Sequence, residues 1–290
     1  MTPMAAPEQT QTQVCYRHPN RETAVSCSNC GRPICPDCMV YAAVGIKCPE
    51  CAGQGAGTRA TAQRAQRRAM TVTGATVTKV LIAVNVGVYL LAIAQSSGGF
   101  TPSDRFIADW GLYGPAVADG EWWRMITAAF LHASLIHLLF NMLMLWWFGQ
   151  ALESALGPAR FLGVYLVSAL AGSAGALLFT PDTFTVGASG AVFGILGAGL
   201  VLERRQIFVF GGSAFAVVAL NIVFTFLISN ISIGGHIGGL VGGMLAVLAL
   251  SGFGRGHPIY GRLDFLSVLG LVGIAAGSVA IAYLRVRGMA

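Results

Sequence analysis

From residue 77 onward the chain is a succession of seven apolar stretches, near 77–95, 135–153, 159–179, 189–203, 206–228, 236–252 and 264–284. A helix of about 20 apolar residues crosses the hydrocarbon core of a bilayer, where only intrahelical hydrogen bonds satisfy the backbone. The stretches reach or approach that length and predict an all-α polytopic membrane protein. Only 10% of the 290 residues are charged, against roughly 25% in soluble domains. The fourth and sixth stretches are short for a span that faces lipid. That suits central helices that begin below the surface, at the floor of a polar cavity. No repeat of fixed period is evident.

The net charge of +6 gathers at the ends of the apolar stretches, as orientation signals do. No basic face interleaved with aromatics is present, so nucleic-acid binding is not expected. Arg59, Arg64, Arg67 and Arg68 precede the first stretch. Arg160 follows the second, Arg204 and Arg205 the fourth, and Arg255 and Arg262 the sixth. These share one side of the membrane if the N-terminus is cytoplasmic. Arg105, Arg124, Arg285 and Arg287 lie on the other. The bias predicts an inside N-terminus and an outside C-terminus. The N-terminus lacks an apolar h-region, so no cleaved signal peptide is expected.

All seven cysteines lie between Cys15 and Cys51, as Cys15-x-x-His18, Cys27-x-x-Cys30, Cys35-x-x-Cys38 and Cys48-x-x-Cys51. Four pairs with two-residue gaps supply eight ligands, enough for two tetrahedral zinc ions. An odd number of cysteines fits a disulfide or redox framework poorly, whereas His18 completes a zinc set. A cytosolic location keeps the thiols reduced, as zinc requires. So short a segment cannot bury much core, and metal ligation would stabilise it.

Polar side chains at membrane depth are costly unless they face a protein cavity. With the N-terminus inside, even-numbered spans run from outside to inside. His137 and Asn141 then lie in the first turns of the second span. Ser189 opens the fourth within Gly187-Ala188-Ser189-Gly190, and His236 opens the sixth within Gly234-Gly235-His236-Ile237-Gly238-Gly239. All four residues fall near the outer leaflet at similar depth. Serine is a poor nucleophile until a base removes its proton, and His236 is the well-placed base. Near the outer ends of these two spans the only carboxylate is Asp182, in a loop, and Glu153 is at the inner end of the second span. The reading is a Ser–His dyad without a carboxylate. His137 and Asn141, four apart, share a helix face. With the Ser189 backbone N–H they offer donors for the oxyanion of a tetrahedral intermediate. Gly190 and Gly194 form one four-residue step. Gly235, Gly239 and Gly243 form another, beside Gly234, Gly238 and Gly242. Such steps let helix backbones approach closely in lipid.

The sequence resembles the rhomboid family of intramembrane serine proteases. The residues that carry the resemblance are Glu121-Trp122-Trp123-Arg124, His132-x4-His137-x3-Asn141, Gly149-x3-Glu153-x3-Gly157 followed by Arg160-Phe161, Gly187-Ala188-Ser189-Gly190, and His236-x-Gly238-Gly239. It covers about residues 77–252 in the family's order and spacing. It implies a rhomboid-like six-helix bundle, a Ser189–His236 dyad and hydrolysis of single-span membrane proteins near the outer lipid–water boundary. Membrane lipids and those substrates are the implied partners. The seventh span looks like the added helix of a six-plus-one arrangement. Phe193 departs from members that carry a tyrosine stacked beneath the histidine; a phenyl ring packs there without the hydroxyl.

The cysteine module resembles B-box-like cross-brace fingers. That implies one structural zinc held by Cys15, His18, Cys35 and Cys38, and a second held by Cys27, Cys30, Cys48 and Cys51. The expected organisation is a finger at 14–52, a basic linker at 53–76, a protease core at 77–252, and a loop, seventh helix and tail at 253–290. The expected location is a bacterial cell membrane, with the active site toward the outside and a cytosolic protein as the finger's partner.

Plainer readings stand beside these. A lone serine in an apolar helix back-bonds to its own carbonyls, and a lone membrane histidine is structural or part of an ion path. Trp122, Trp123, Trp146 and Trp147 read as interfacial aromatics and packing. His132 reads as a loop or supporting residue, and His257 as solvated. Two other functions compete. One is an inactive relative that binds membrane clients, although such relatives usually lack the serine or histidine kept here. The other is a transporter, for which inverted repeats are expected and none is evident.

Overall fold

A computed structural model describes residues 13–41, 45–52, 74–96, 99–205, 207–227, 231–251 and 265–289. The chain divides into two compact units, Met1–Val72 and Thr73–Ala290. Residues 53–73 of the expected linker lie outside the described residues, with Arg59, Arg64, Arg67 and Arg68. So do Arg255, His257 and Arg262 in the loop before the last helix.

The first unit is two small antiparallel hairpins. β1 (Gln13–Cys15) pairs with β2 (His18–Thr23), and β3 (Val40–Tyr41) pairs with β4 (Ile46–Lys47). Its buried apolar residues are Ile34 and the cysteines Cys15, Cys27, Cys35, Cys38 and Cys48. One buried aliphatic side chain repays little of the chain entropy, so apolar packing alone gives this unit little stability. All seven cysteines are free thiols, which goes against the disulfide framework.

The second unit is helical. In chain order it has α1 (Thr76–Ala94), the short α2 (Asp104–Trp110), α3 (Gly114–Ala118) and α4 (Arg124–Thr127), then α5 (Leu135–Leu156) with a π-helical turn at Leu145–Gly149. There follow α6 (Pro158–Phe179), α7 (Ser189–Arg204), α8 (Ala214–Leu227), α9 (Ile233–Leu250) and α10 (Phe265–Val286). Of these, α1, α5, α6, α9 and α10 are long and apolar enough to cross a membrane. Helix α7 is short because it is central: every residue from Ala191 to Gly199 is buried.

Two expected elements are corrected. The fifth span, expected at 206–228, is helical only from Ala214. The Glu203 carboxylate, at the end of α7, accepts from the backbone N–H groups of Phe210 (2.9 Å), Gly212 (3.1 Å) and Ala214 (2.9 Å). Gly211 and Gly212 take positive φ there. The apolar run Ile207–Phe210 is therefore a loop, with Phe210 packed edge-on against Phe148 at 4.9 Å. The sixth helix does not begin at His236. The Ser232 side chain accepts from Gly235 N–H at 3.1 Å and starts α9 at Ile233. That N-cap moves His236 one turn inside the helix.

Buried charges fix the frame. Glu153 accepts from Val77 N–H (3.0 Å), Thr78 N–H (2.8 Å) and the Thr78 hydroxyl (2.7 Å), so the end of α5 holds the start of α1. A carboxylate at a helix N-terminus meets both free N–H groups and the dipole. Arg124 is buried. It pairs with Glu121 and donates to the carbonyls of Ala108 and Gly111, each at 2.7 Å, which anchors the loop that leads from α1 to α5.

The centre is set by glycine. A Cβ on Gly239 would lie 1.9 Å from the Gly190 carbonyl oxygen, and one on Gly243 would lie 1.9 Å from that of Gly194. Helices α7 and α9 therefore touch backbone to backbone. Against α6, a Cβ on Gly234 or Gly238 would lie 2.3 Å from the carbonyl oxygen of Gly175 or Ala171. Gly243→Ala is expected to force α7 and α9 apart and to lower stability by about 1–3 kcal/mol, the usual cost of overpacking. Gly273→Ala, with nothing within 4 Å, should be close to neutral. Thermal unfolding in detergent compares the two; equal midpoints would contradict the close seam.

Candidate active site

Ser189 is the first residue of α7. The chain enters through Gly187 at φ +131°, whose N–H is held by the Ala128 carbonyl at 2.8 Å. A Cβ on Gly187 would sit 2.7 Å from His137 Cε1, 2.8 Å from His137 Nε2 and 3.7 Å from Ser189 Oγ. The His137 imidazole and the Ser189 hydroxyl thus flank one bare stretch of backbone. At the start of α7 the first N–H groups have no intrahelical acceptor, and the helix dipole favours negative charge there.

His137 is held at the start of α5, where the Ser134 side chain accepts from its backbone N–H at 3.2 Å. Its ring meets that of His132 edge-on, with centroids 5.1 Å apart. His132 is fully buried and supports His137 by packing. One turn along, buried Asn141 donates from its side-chain amide to the His137 carbonyl at 2.9 Å. An amide NH2 has two hydrogens, so one remains for a ligand. The opposite face of α5 exposes Ile136, Leu139, Phe140 and Leu143.

The His236 imidazole stacks on Phe193, with centroids 4.0 Å apart and planes at 20°. Phe193 lies four residues after Ser189, on the same face of α7. His236 is thereby packed against α7 one turn beyond Ser189. Its Nδ1 lies 2.7 Å from the Thr225 hydroxyl oxygen on α8. Among the described residues no carboxylate is hydrogen-bonded to His236. Asp182 is exposed, and Glu153 is engaged with α1. The site thus gathers a hydroxyl at a helix start, the His137 imidazole beside it, and the His236 imidazole stacked on Phe193 one turn along the same helix.

Sequence reasoning missed Thr225, the caps Ser134 and Ser232, and the backbone turn at Gly187. For Thr225 a signal was present. It and Asn221 are the only polar residues of α8, four apart on one face.

In the first unit the ligand-type residues gather in two quartets. One is Cys15, His18, Cys35 and Cys38; the other is Cys27, Cys30, Cys48 and Cys51. The ligand atoms of each lie within 4.8 Å of one another. His18 Nδ1 is 3.3 Å from Cys35 Sγ, 3.4 Å from Cys38 Sγ and 3.7 Å from Cys15 Sγ, and Cys30 Sγ is 3.7 Å from Cys48 Sγ. A tetrahedral ion with arms of about 2.0–2.3 Å spaces its ligands about 3.3–3.8 Å apart. Both quartets therefore fit a four-coordinate metal. Arg32 donates to Cys30 Sγ at 3.3 Å and lies over the Tyr16 ring, 4.7 Å from its centroid. Glu50 accepts from Tyr16 and Arg17; the Tyr16 hydroxyl above all holds its carboxyl down to about 2.

The Rhomboid domain profile matches residues 119–253, an interval that contains His137, Asn141, Ser189 and His236. Putative rhomboid protease YdcA of Bacillus subtilis (strain 168) is 44% identical over 138 residues, which are 46% of this chain and 69% of the relative. The chain belongs to the rhomboid family. Rhomboid protease GluP of the same organism is 38% identical over 206 residues, 70% of this chain and 39% of the relative. Rhomboid-like protease 3 of Toxoplasma gondii is 30% identical over 162 residues, 52% of this chain and 60% of the relative. The chain thus spans less than two thirds of the length of these last two rhomboid relatives. Membership and the span-length helices make it a multi-pass membrane protein with the rhomboid fold.

Elemental analysis of the purified rhomboid is expected to find two bound metal ions per chain, one for each quartet, and Cys30→Ser should reduce the count to one. An unchanged count in the variant would contradict the quartets.

Proposed function

We propose that the protein is an intramembrane serine protease. It hydrolyses peptide bonds of single-span membrane proteins near the outer lipid–water boundary, with Ser189 as nucleophile and His236 as base. The observation that carries the reading is the stacking of His236 on Phe193, one turn from Ser189. Names of relatives such as Rhomboid protease GluP support it.

In this mechanism His236 removes the Ser189 proton as Oγ bonds to the scissile carbonyl carbon. The carbonyl electron pair moves onto oxygen. The Ser189 N–H, the remaining Asn141 amide hydrogen and the His137 ring N–H receive that charge. Collapse of the intermediate breaks the C–N bond, and His236 passes its proton to the leaving amine. A water deprotonated by the same imidazole then cleaves the ester and restores Ser189.

The flanking arginines support a cytoplasmic N-terminus and a site open to the outside of a bacterial membrane. Arg124 is buried against Glu121, so it adds no free positive charge outside. Structural Zn²⁺ is the ion proposed for the quartets, on their thiolate and imidazole donors and tetrahedral spacing. When bound it supplies the cross-links that the small core lacks. We retain 14–52 as the finger, 53–76 as the linker, 77–252 as the protease core and 253–290 as the loop and added helix. The finger's proposed task is to engage a cytosolic protein.

Purified protein is expected to cleave candidate single-span substrates. Ser189→Ala and His236→Ala should fall to background, a loss of about 10⁴-fold or more. Asn141→Ala should slow turnover by about 10²–10³-fold, with a smaller effect on binding. Cleavage by Ser189→Ala would contradict the mechanism. Weakened binding at unchanged turnover in Asn141→Ala would make Asn141 a binding residue.

A further inference from the structure

Helix α8 has 14 residues, and Asn221 and Thr225 are its only polar side chains. Both are buried, while Phe215, Leu220, Val223, Phe226 and Leu227 of the same helix are exposed. Polar groups in such a helix are costly unless they have partners in the protein interior.

Thr225 Oγ1 lies 2.8 Å from the Asn221 carbonyl oxygen and 2.7 Å from His236 Nδ1. A carbonyl oxygen only accepts, so the bond to Asn221 uses the single hydroxyl proton of Thr225. With the proton so placed, the Thr225 oxygen accepts from His236 Nδ1–H. A neutral imidazole protonated at Nδ1 carries its lone pair on Nε2.

We infer that Thr225 is a positioning residue that fixes His236 as the Nδ1–H tautomer and so presents Nε2 as the base for Ser189. The inference rests on the dyad reading above. Back-bonding of a threonine to the carbonyl four residues earlier is ordinary in membrane helices. The second bond, to a buried imidazole on another helix, is not needed for that. Phe193 restrains the plane of the ring by stacking, but it has no polar atom to select the protonated nitrogen. Thr225 does so through its hydroxyl oxygen at Nδ1. In serine–histidine–aspartate sites a carboxylate holds the same nitrogen; here a neutral hydroxyl orients the ring without adding charge to the membrane interior.

The test compares wild type, Thr225→Val and Thr225→Ser on one cleavable substrate, with Ser189→Ala as control. Thr225→Val keeps the shape and removes the acceptor. Its kcat should fall about tenfold, the worth of one hydrogen bond, with KM changed less than about twofold. Thr225→Ser keeps the acceptor and should stay within about threefold of wild type. ¹⁵N NMR of histidine-labelled wild type should show His236 as the Nδ1–H tautomer, a reading that does not depend on any variant folding. An Nε2–H tautomer, wild-type kcat in Thr225→Val, or Thr225→Ser as impaired as Thr225→Val would each overturn the inference. Cleavage by Ser189→Ala would instead overturn the dyad itself.

Discussion

Helices α7 and α9 meet through the backbone atoms of Gly190, Gly194, Gly239 and Gly243, with no side chain between them. In lipid there is no hydrophobic force to draw two apolar helices together, so close van der Waals contact has to supply it. That contact fixes the height and rotation of α9 on α7, and with them the position of His236 against Phe193, one turn from Ser189. A single methyl group on the seam would separate the helices, and the imidazole with them. The geometry of the site is therefore a consequence of helix packing more than of any one polar bond.

Around this apolar centre, charged side chains, buried at Glu153 and Arg124 and half-buried at Glu203, are used where backbone has to be held. Glu153 holds the start of α1, Glu203 the start of α8, and Arg124 the loop before α5. Each meets several backbone donors or acceptors at once, which is how a charge is kept in a low-dielectric setting. The first unit solves a different problem. With one buried aliphatic residue it has almost no core, and its eight ligand-type residues gather instead in two quartets that fit a four-coordinate ion.

The helical architecture was legible because span length and apolarity are properties of local sequence. The rhomboid motifs were legible because they place rare polar residues at fixed intervals in an apolar background. What escaped were helix starts decided by single side chains. Ile207–Phe210 reads as membrane helix, but Glu203 and the paired glycines make it a loop. His236 reads as the first residue of its helix, but Ser232 caps it four residues earlier. The Thr225 contact escaped for another reason: it joins residues 11 apart across a break between helices, and neither residue announces the other. The two ligand quartets interleave alternate Cys-x-x-Cys/His pairs, and spacing alone left their sharing open until the cross-brace pattern was considered.

The central claim is that this packing turns Ser189 into a nucleophile through His236. It is tested most directly by treating the purified protein with a fluorophosphonate and mapping the adduct by mass spectrometry. The account predicts one phosphonylated residue, Ser189, and no labelling of that residue in folded His236→Ala. Labelling of a different serine, or undiminished labelling of Ser189 without His236, would contradict it.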